Sequence, residues 1–137
     1  MVKRYFELPS DTRQLGDFRH QLQSLLKEAG LDEKSAGEVL LAIQETLTNI
    51  IRHSYRDTSG KIQINFQEDS GKVTISIRDF GKKFDITQVP DPKLPREEPG
   101  GLGIYLIKNT MDEVRYDSSC QDGNLLHLVK YKSRSHS

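Results

Sequence analysis

From Asp32 to His53 the apolar residues recur at helical spacing, and from Lys61 to Arg78 they switch to strict alternation. In the first stretch Val39, Leu40, Ile43, Leu47, Ile50 and Ile51 fall on one face at about 100° per residue. In the second, Ile62, Ile64 and Phe66, then Val73, Ile75 and Ile77, alternate with mostly polar residues around a turn at Gly71. The first period predicts a long amphipathic helix, and the second a β-hairpin with one buried face. A striped helix next to a half-buried hairpin hides both apolar surfaces by lying flat on the sheet.

The flanking segments extend this pattern. Residues 5–8 predict a short strand stopped at Pro9. Ser10 is expected to cap a helix that runs to about Ala29, with Leu15, Phe18, Leu22, Leu25 and Leu26 at helical spacing and Gly30 as its stop. Residues 85–99 carry Pro90, Pro92, Pro95 and Pro99 without periodicity, which predicts a long loop and a possible lid. A third helix is predicted from about Leu102 to Thr110, then two strands at 113–117 and 125–131. The expected architecture is an α/β (α+β) two-layer sandwich, a mixed sheet with helices packed on one face. It forms one domain over residues 1–137, with 132–137 as a disordered tail.

Lys plus Arg and Asp plus Glu both count 20, so the net charge is zero, which argues against direct nucleic-acid binding. Lys130, Lys132 and Arg134 read as a solvated basic terminus. Cys120 is the only cysteine, so no intramolecular disulfide can form and a reducing compartment is implied. No apolar run reaches membrane-spanning length. A cytoplasmic protein without a membrane partner is expected.

Three clusters carry chemistry. Glu45 and Asn49 stand four residues apart, side by side on one helix face. A carboxylate and a carboxamide so placed could hold a hydrated Mg²⁺, and the carboxylate could deprotonate an attacking hydroxyl. Alone, the pair reads better as a solvated polar face. His53, on the same face, reads equally as a site-lining or a structural residue. The second cluster, Arg78-Asp79-Phe80-Gly81, ends a strand. An aspartate there can accept an exocyclic amine, and the glycine admits a base close to the backbone. The third, Gly100-Gly101-Leu102-Gly103, opens a helix, where free N–H groups attract phosphate. It is neither a Walker loop nor a dinucleotide fingerprint.

Singly, each cluster has a plainer structural explanation; their order and spacing are specific. The series resembles the N, G1 and G2 boxes of the GHKL ATPase superfamily, which implies a Bergerat-type ATP-binding fold. Residues 42–55 (AIQETLTNIIRHSY), together with Gly100 to Ile107 and Met111-Asp112-Glu113-Val114, are similar to the anti-sigma-factor serine/threonine kinase family. The resemblance implies ATP and Mg²⁺ as cofactors, with Glu45 as general base and Asn49 as Mg²⁺ ligand. Asp79 would bind adenine with Gly81 making room, and Phe84, His53 and Leu102 would complete the pocket. Gly100, Gly101 and Gly103 would wrap the phosphates. The implied partners are an anti-anti-sigma (STAS-like) protein, which is phosphorylated, and a sigma factor, which is sequestered; homodimers are common among such kinases. The alternative is an ATP-binding module that sequesters a partner without turnover. Two departures stand out. Lys82-Lys83 replaces the second glycine of the G1 box, and Glu97-Glu98-Pro99 precedes the lid glycines where some kinases of this family place an arginine.

Overall fold

The computed structural model describes residues 2–56, 58–91 and 102–132. Its elements in chain order are β1 (Lys3–Pro9), α1 (Leu15–Glu28), α2 (Glu33–Asn49), β2 (Lys61–Glu68), β3 (Lys72–Asp79), α3 (Leu102–Thr110), β4 (Glu113–Tyr116) and β5 (Asn124–Tyr131). A π-helical turn, Ile50–Ser54, prolongs α2, and a 3-10 turn, Ile86–Gln88, lies at the start of the expected lid. The rest of the expected lid, residues 92–99, and residues 133–137 of the expected 132–137 tail lie outside the described residues.

The α2 start follows its sequence signal: the Asp32 carboxylate accepts the Ser35 N–H at 2.7 Å. The α1 start does not. Ser10 is no cap; its hydroxyl accepts the Gly60 N–H at 2.8 Å and its own N–H donates to the Gly60 carbonyl at 2.9 Å. It clasps the end of β1 to the residue before β2, and the helix begins at Leu15 instead.

The sheet has five strands in the order β1-β2-β3-β5-β4, every neighbouring pair antiparallel. This corrects the mixed sheet expected from the order of elements. Two helices separate β1 from β2, so the chain reverses an odd number of times and returns antiparallel. β1 and β4 both run parallel to β3, but β2 and β5 insert between: Leu126 of β5 faces Ile77 on one side and Tyr116 on the other.

One sheet face buries Ile62, Ile64, Phe66, Val73, Ile75 and Leu128 against Phe18, Leu22 and Leu26 of α1 and Val39 and Leu47 of α2. Each such side chain contributes about 1.5–3 kcal/mol by leaving water. The helix α3 packs along α2 and covers part of the face that carries Glu38, Ala42 and Glu45, so Ala42 is fully buried. The basic end is not solvated as expected from its charge. Lys130 is buried, pairs with Glu38 at 3.1 Å and donates to the Thr110 carbonyl at the end of α3. Lys132 pairs with Glu68, and its N–H donates to the Gly71 carbonyl at 2.9 Å, so the ordered chain continues through it.

Candidate functional site

The end of β3 turns Asp79 inward, where it is only 1% exposed. One carboxylate oxygen, Oδ1, accepts the Gly81 N–H at 3.0 Å and the Asn124 amide at 3.0 Å; Oδ2 takes the same amide at 3.3 Å. Burial pushes the carboxyl up from its ordinary range, and hydrogen bonds from Asn124, Gly81 and Ser54 and the Arg78 charge pull it back. Above it lies a small, partly open recess. Its walls are formed by Ile50, Ile77, Phe84, Ile86 and Leu126 together with the polar residues Thr46, Asn49, Ser54, Asp79, Tyr116 and Asn124. Aliphatic and aromatic walls around one buried carboxylate suit a flat heterocycle that bears an exocyclic donor.

The chain reaches this geometry through close backbone contact. A Cβ on Gly81 would stand 2.1 Å from the Ser54 carbonyl oxygen, which accepts the Lys82 N–H at 2.6 Å. The π-helical turn supplies that carbonyl, and such turns recur at functional sites. Glycine at position 81 is therefore required by the protein's own packing. The Phe84 N–H donates to Asn124 Oδ1 at 2.8 Å, and its ring lies 4.9 Å from that of His53, tilted by 40°. His53 itself is exposed and meets the site through Phe84 rather than as part of the recess wall.

The other half of the site runs along α2 toward α3. Asn49 is the last α2 residue before the π turn and lines the recess; its amide nitrogen is buried and has no hydrogen-bond partner among the described residues. One turn earlier, half-buried Glu45 sits against the first turn of α3: a Cβ on Gly103 would stand 2.4 Å from Glu45 Oε1. Leu102 opens α3 and is exposed. Gly100 and Gly101 lie outside the described residues. The fold thus gathers Asn49, Asp79 and Phe84 around one recess and sets Glu45 and Gly103 together beside it.

The family model of the histidine kinase-like ATPase domain matches residues 8–130. The chain belongs to this family.

Its relatives within the family include the serine-protein kinase RsbW of Oceanobacillus iheyensis, 28% identical over 91% of this chain and 84% of the relative. The serine-protein kinase RsbW of Bacillus subtilis is 26% identical over 91% and 82%. The anti-sigma F factor of Anoxybacillus flavithermus is 32% identical over 77% and 74%. In fold, the chain matches a crystal structure of the RsbU and RsbW domains of a Mycobacterium tuberculosis protein. The TM-score is 0.71 at 22% identity, covering 98% of this chain and about a third (34%) of that one. The histidine kinase domain of a blue-light activated histidine kinase from Erythrobacter litoralis gives a TM-score of 0.54 at 18% identity, covering 85% and 60%. The two-layer α+β fold of the histidine kinase-like ATPases, and the ATP use that this domain implies, therefore hold for this chain. No helix among the described residues is long and apolar enough to cross a membrane.

Of the recess residues missing from the motif-based set, Asn124 makes the most contacts with Asp79. Its side chain bonds Asp79, Ser54, Lys82, Phe84 and Tyr116. The one trace in the sequence is an asparagine opening a strand rich in leucine and valine after Gly123, where strand propensity disfavours it.

Proposed function

We propose that this protein is an ATP-dependent serine/threonine kinase of the anti-sigma-factor type, acting on a small anti-anti-sigma partner and sequestering a sigma factor. The observation that carries this reading is the buried, bonded Asp79 carboxylate at the floor of a partly apolar recess in a histidine kinase-like ATPase domain. Its relatives named serine-protein kinase and anti-sigma factor support the same assignment.

In this reading Asp79 accepts the exocyclic amine of adenine, with Phe84 and Ile86 against the ring, and Gly81 keeps the strand end closed on the π turn. His53 backs Phe84 from outside. The phosphates run toward Gly100 to Gly103, where the first-turn N–H groups of α3 face them. Asn49 and the oxygens of the phosphates would hold Mg²⁺. The Asn49 side-chain oxygen would face the metal, and the unpartnered amide nitrogen, a donor, leaves bonding capacity for a phosphate oxygen. The metal, when bound, neutralises charge on the transferring phosphoryl group. Glu45 takes the proton of the partner's serine or threonine hydroxyl. That oxygen bonds to the γ-phosphorus as the bond to the β-γ bridging oxygen breaks, and ADP leaves. The protein works in the cytoplasm as one domain, and a homodimer is its expected assembly.

Incubation with γ-labelled ATP, Mg²⁺ and the partners recovered by pull-down from the native cell tests the proposal. Label on a partner serine or threonine is expected. Nucleotide-dependent partner binding with no transfer would leave sequestration as the function, and absence of ATP binding would remove both.

A further inference from the structure

We infer that Asn124 positions Asp79 and keeps its carboxylate open to the nucleotide base. The inference rests on the nucleotide-binding reading of the recess but has its own test.

The orientation of the Asn124 amide is fixed by chemistry. One end accepts the Phe84 N–H at 2.8 Å and the Tyr116 hydroxyl. A backbone N–H only donates, so that end is the carbonyl. The nitrogen then faces Asp79 at 3.0 and 3.3 Å, Lys82 carbonyl at 2.9 Å and Ser54 Oγ at 3.2 Å. Asn124 is itself buried, and it stands directly opposite Asp79 in the β3–β5 ladder. The turn before it is pressed onto the end of β3: Gly123 has φ +67°, and a Cβ there would lie 2.2 Å from the Asp79 carbonyl oxygen. The Arg78 guanidinium donates to the Asp79 carbonyl at 2.8 Å and to the Asp122 and Asn124 carbonyls, closing the turn over the strand end.

A carboxylate out of water takes up a proton unless donors hold it. Asn124 supplies such a donor to both oxygens, while Gly81 serves Oδ1 alone and the Ser54 hydroxyl adds a lesser bond. The Oδ2 contact is the longer of the two, which leaves that oxygen with lone-pair capacity for the base amine. The charged and titratable groups around the pair are Arg78 on β3, Tyr55 after the π turn, Tyr116 on β4 and Asp85 before the 3-10 turn. Arg78 favours the ionised carboxylate. The Tyr116 and Tyr55 hydroxyls are engaged with Asn124 and with the Lys61 carbonyl, and Asp85 receives the Thr87 N–H and hydroxyl. None of them replaces the Asn124 donor.

The test combines carboxyl-carbon NMR titration of Asp79 with ATP titration calorimetry at several pH values, on wild type, Asn124→Asp and Asn124→Ala. Asn124→Asp keeps the size and the acceptor for Phe84 and Tyr116, so it holds the loop contacts that Asn124→Ala removes. It also sets two carboxylates face to face, and the pair then shares a proton. Expected is an upward move of the Asp79 titration by about one to two pH units in both variants. For Asn124→Asp, ATP affinity should fall roughly tenfold at pH 8 and recover on acidification, as the shared proton restores a donor. Wild-type affinity should change in the opposite direction. An unmoved Asp79 titration, or a loss of affinity by the same factor at every pH, would overturn the inference. Should wild type bind no ATP, the functional reading fails while the carboxyl titration still decides the role of Asn124.

Discussion

The two halves of the site are built on opposite plans. Around Asp79, polar groups are matched within the protein: Asn124 serves five neighbours, and the Tyr55 hydroxyl donates to the Lys61 carbonyl at 2.6 Å while accepting the Phe80 N–H at 2.7 Å. Toward α3, the buried Asn49 amide nitrogen has no partner among the described residues, and the Glu45 carboxylate lies against a glycine at the start of a helix. A base pocket completed by the fold binds without reorganisation. A phosphate end with unmatched groups is completed by what it binds. In the proposed function, the contrast separates recognition, by β3, β5 and the π turn, from chemistry along α2.

The sharpest way to break this contrast is at Glu45. Glu45→Gln should slow phosphoryl transfer by about a hundredfold or more and leave nucleotide affinity near wild type, in single-turnover assays run beside calorimetry. Wild-type transfer would remove the catalytic half of the account. At the other half, Asp79→Asn should weaken ATP and ADP alike by about one to two orders of magnitude, since a charge-assisted bond is lost and an amide must face the Asn124 amide. Calorimetry decides, and unchanged affinity would break the adenine assignment. Asn49→Ala should cost about tenfold in ATP affinity with Mg²⁺ present and little in EDTA, because the phosphate end alone depends on metal. Equal losses in both conditions would merge the two halves.

The smallest effect is a pH dependence. Burial raises the Asp79 carboxyl above its ordinary range, and its bond to the base amine needs the ionised form. Binding therefore lowers that pKa, and affinity should decline by a few-fold as pH falls through the raised value of the free protein. ATP affinity measured from pH 8 downward should show the decline beginning above the usual carboxylate range, and Asp79→Asn should flatten it.

How much was legible in the sequence follows from the distance over which each residue acts. The α2 stripe and the β2–β3 alternation are local periodicities, and both elements stand within a residue or two of expectation, α2 passing into a π turn after Asn49. Glu45, Asn49, Asp79 and Gly103 stood out because short spacings carry them. Ser10 was misread as a cap because its partner, Gly60, is 50 residues away. Lys130 read as a solvated charge because Glu38 is 92 residues away, and Asn124 went unseen because it meets Asp79 only through the β3–β5 register. The strand order hid in the same way, since nothing local tells β5 to insert between β3 and β4.

The central claim is that adenine is read at Asp79 and phosphate at the α2–α3 end of one continuous site. Amide NMR titration with adenosine, Mg-ATP and Mg-GTP tests it most directly. Adenosine should shift Gly81, Phe84 and the Asn124 side chain while leaving Gly103 and Ile104 unmoved. Mg-ATP should shift both groups, and Mg-GTP, whose base presents an oxygen where adenine has its amine, should leave the Gly81 and Phe84 amides in place. Shifts from Mg-GTP equal to those from Mg-ATP, or ATP shifts confined to residues away from the recess, would contradict the account.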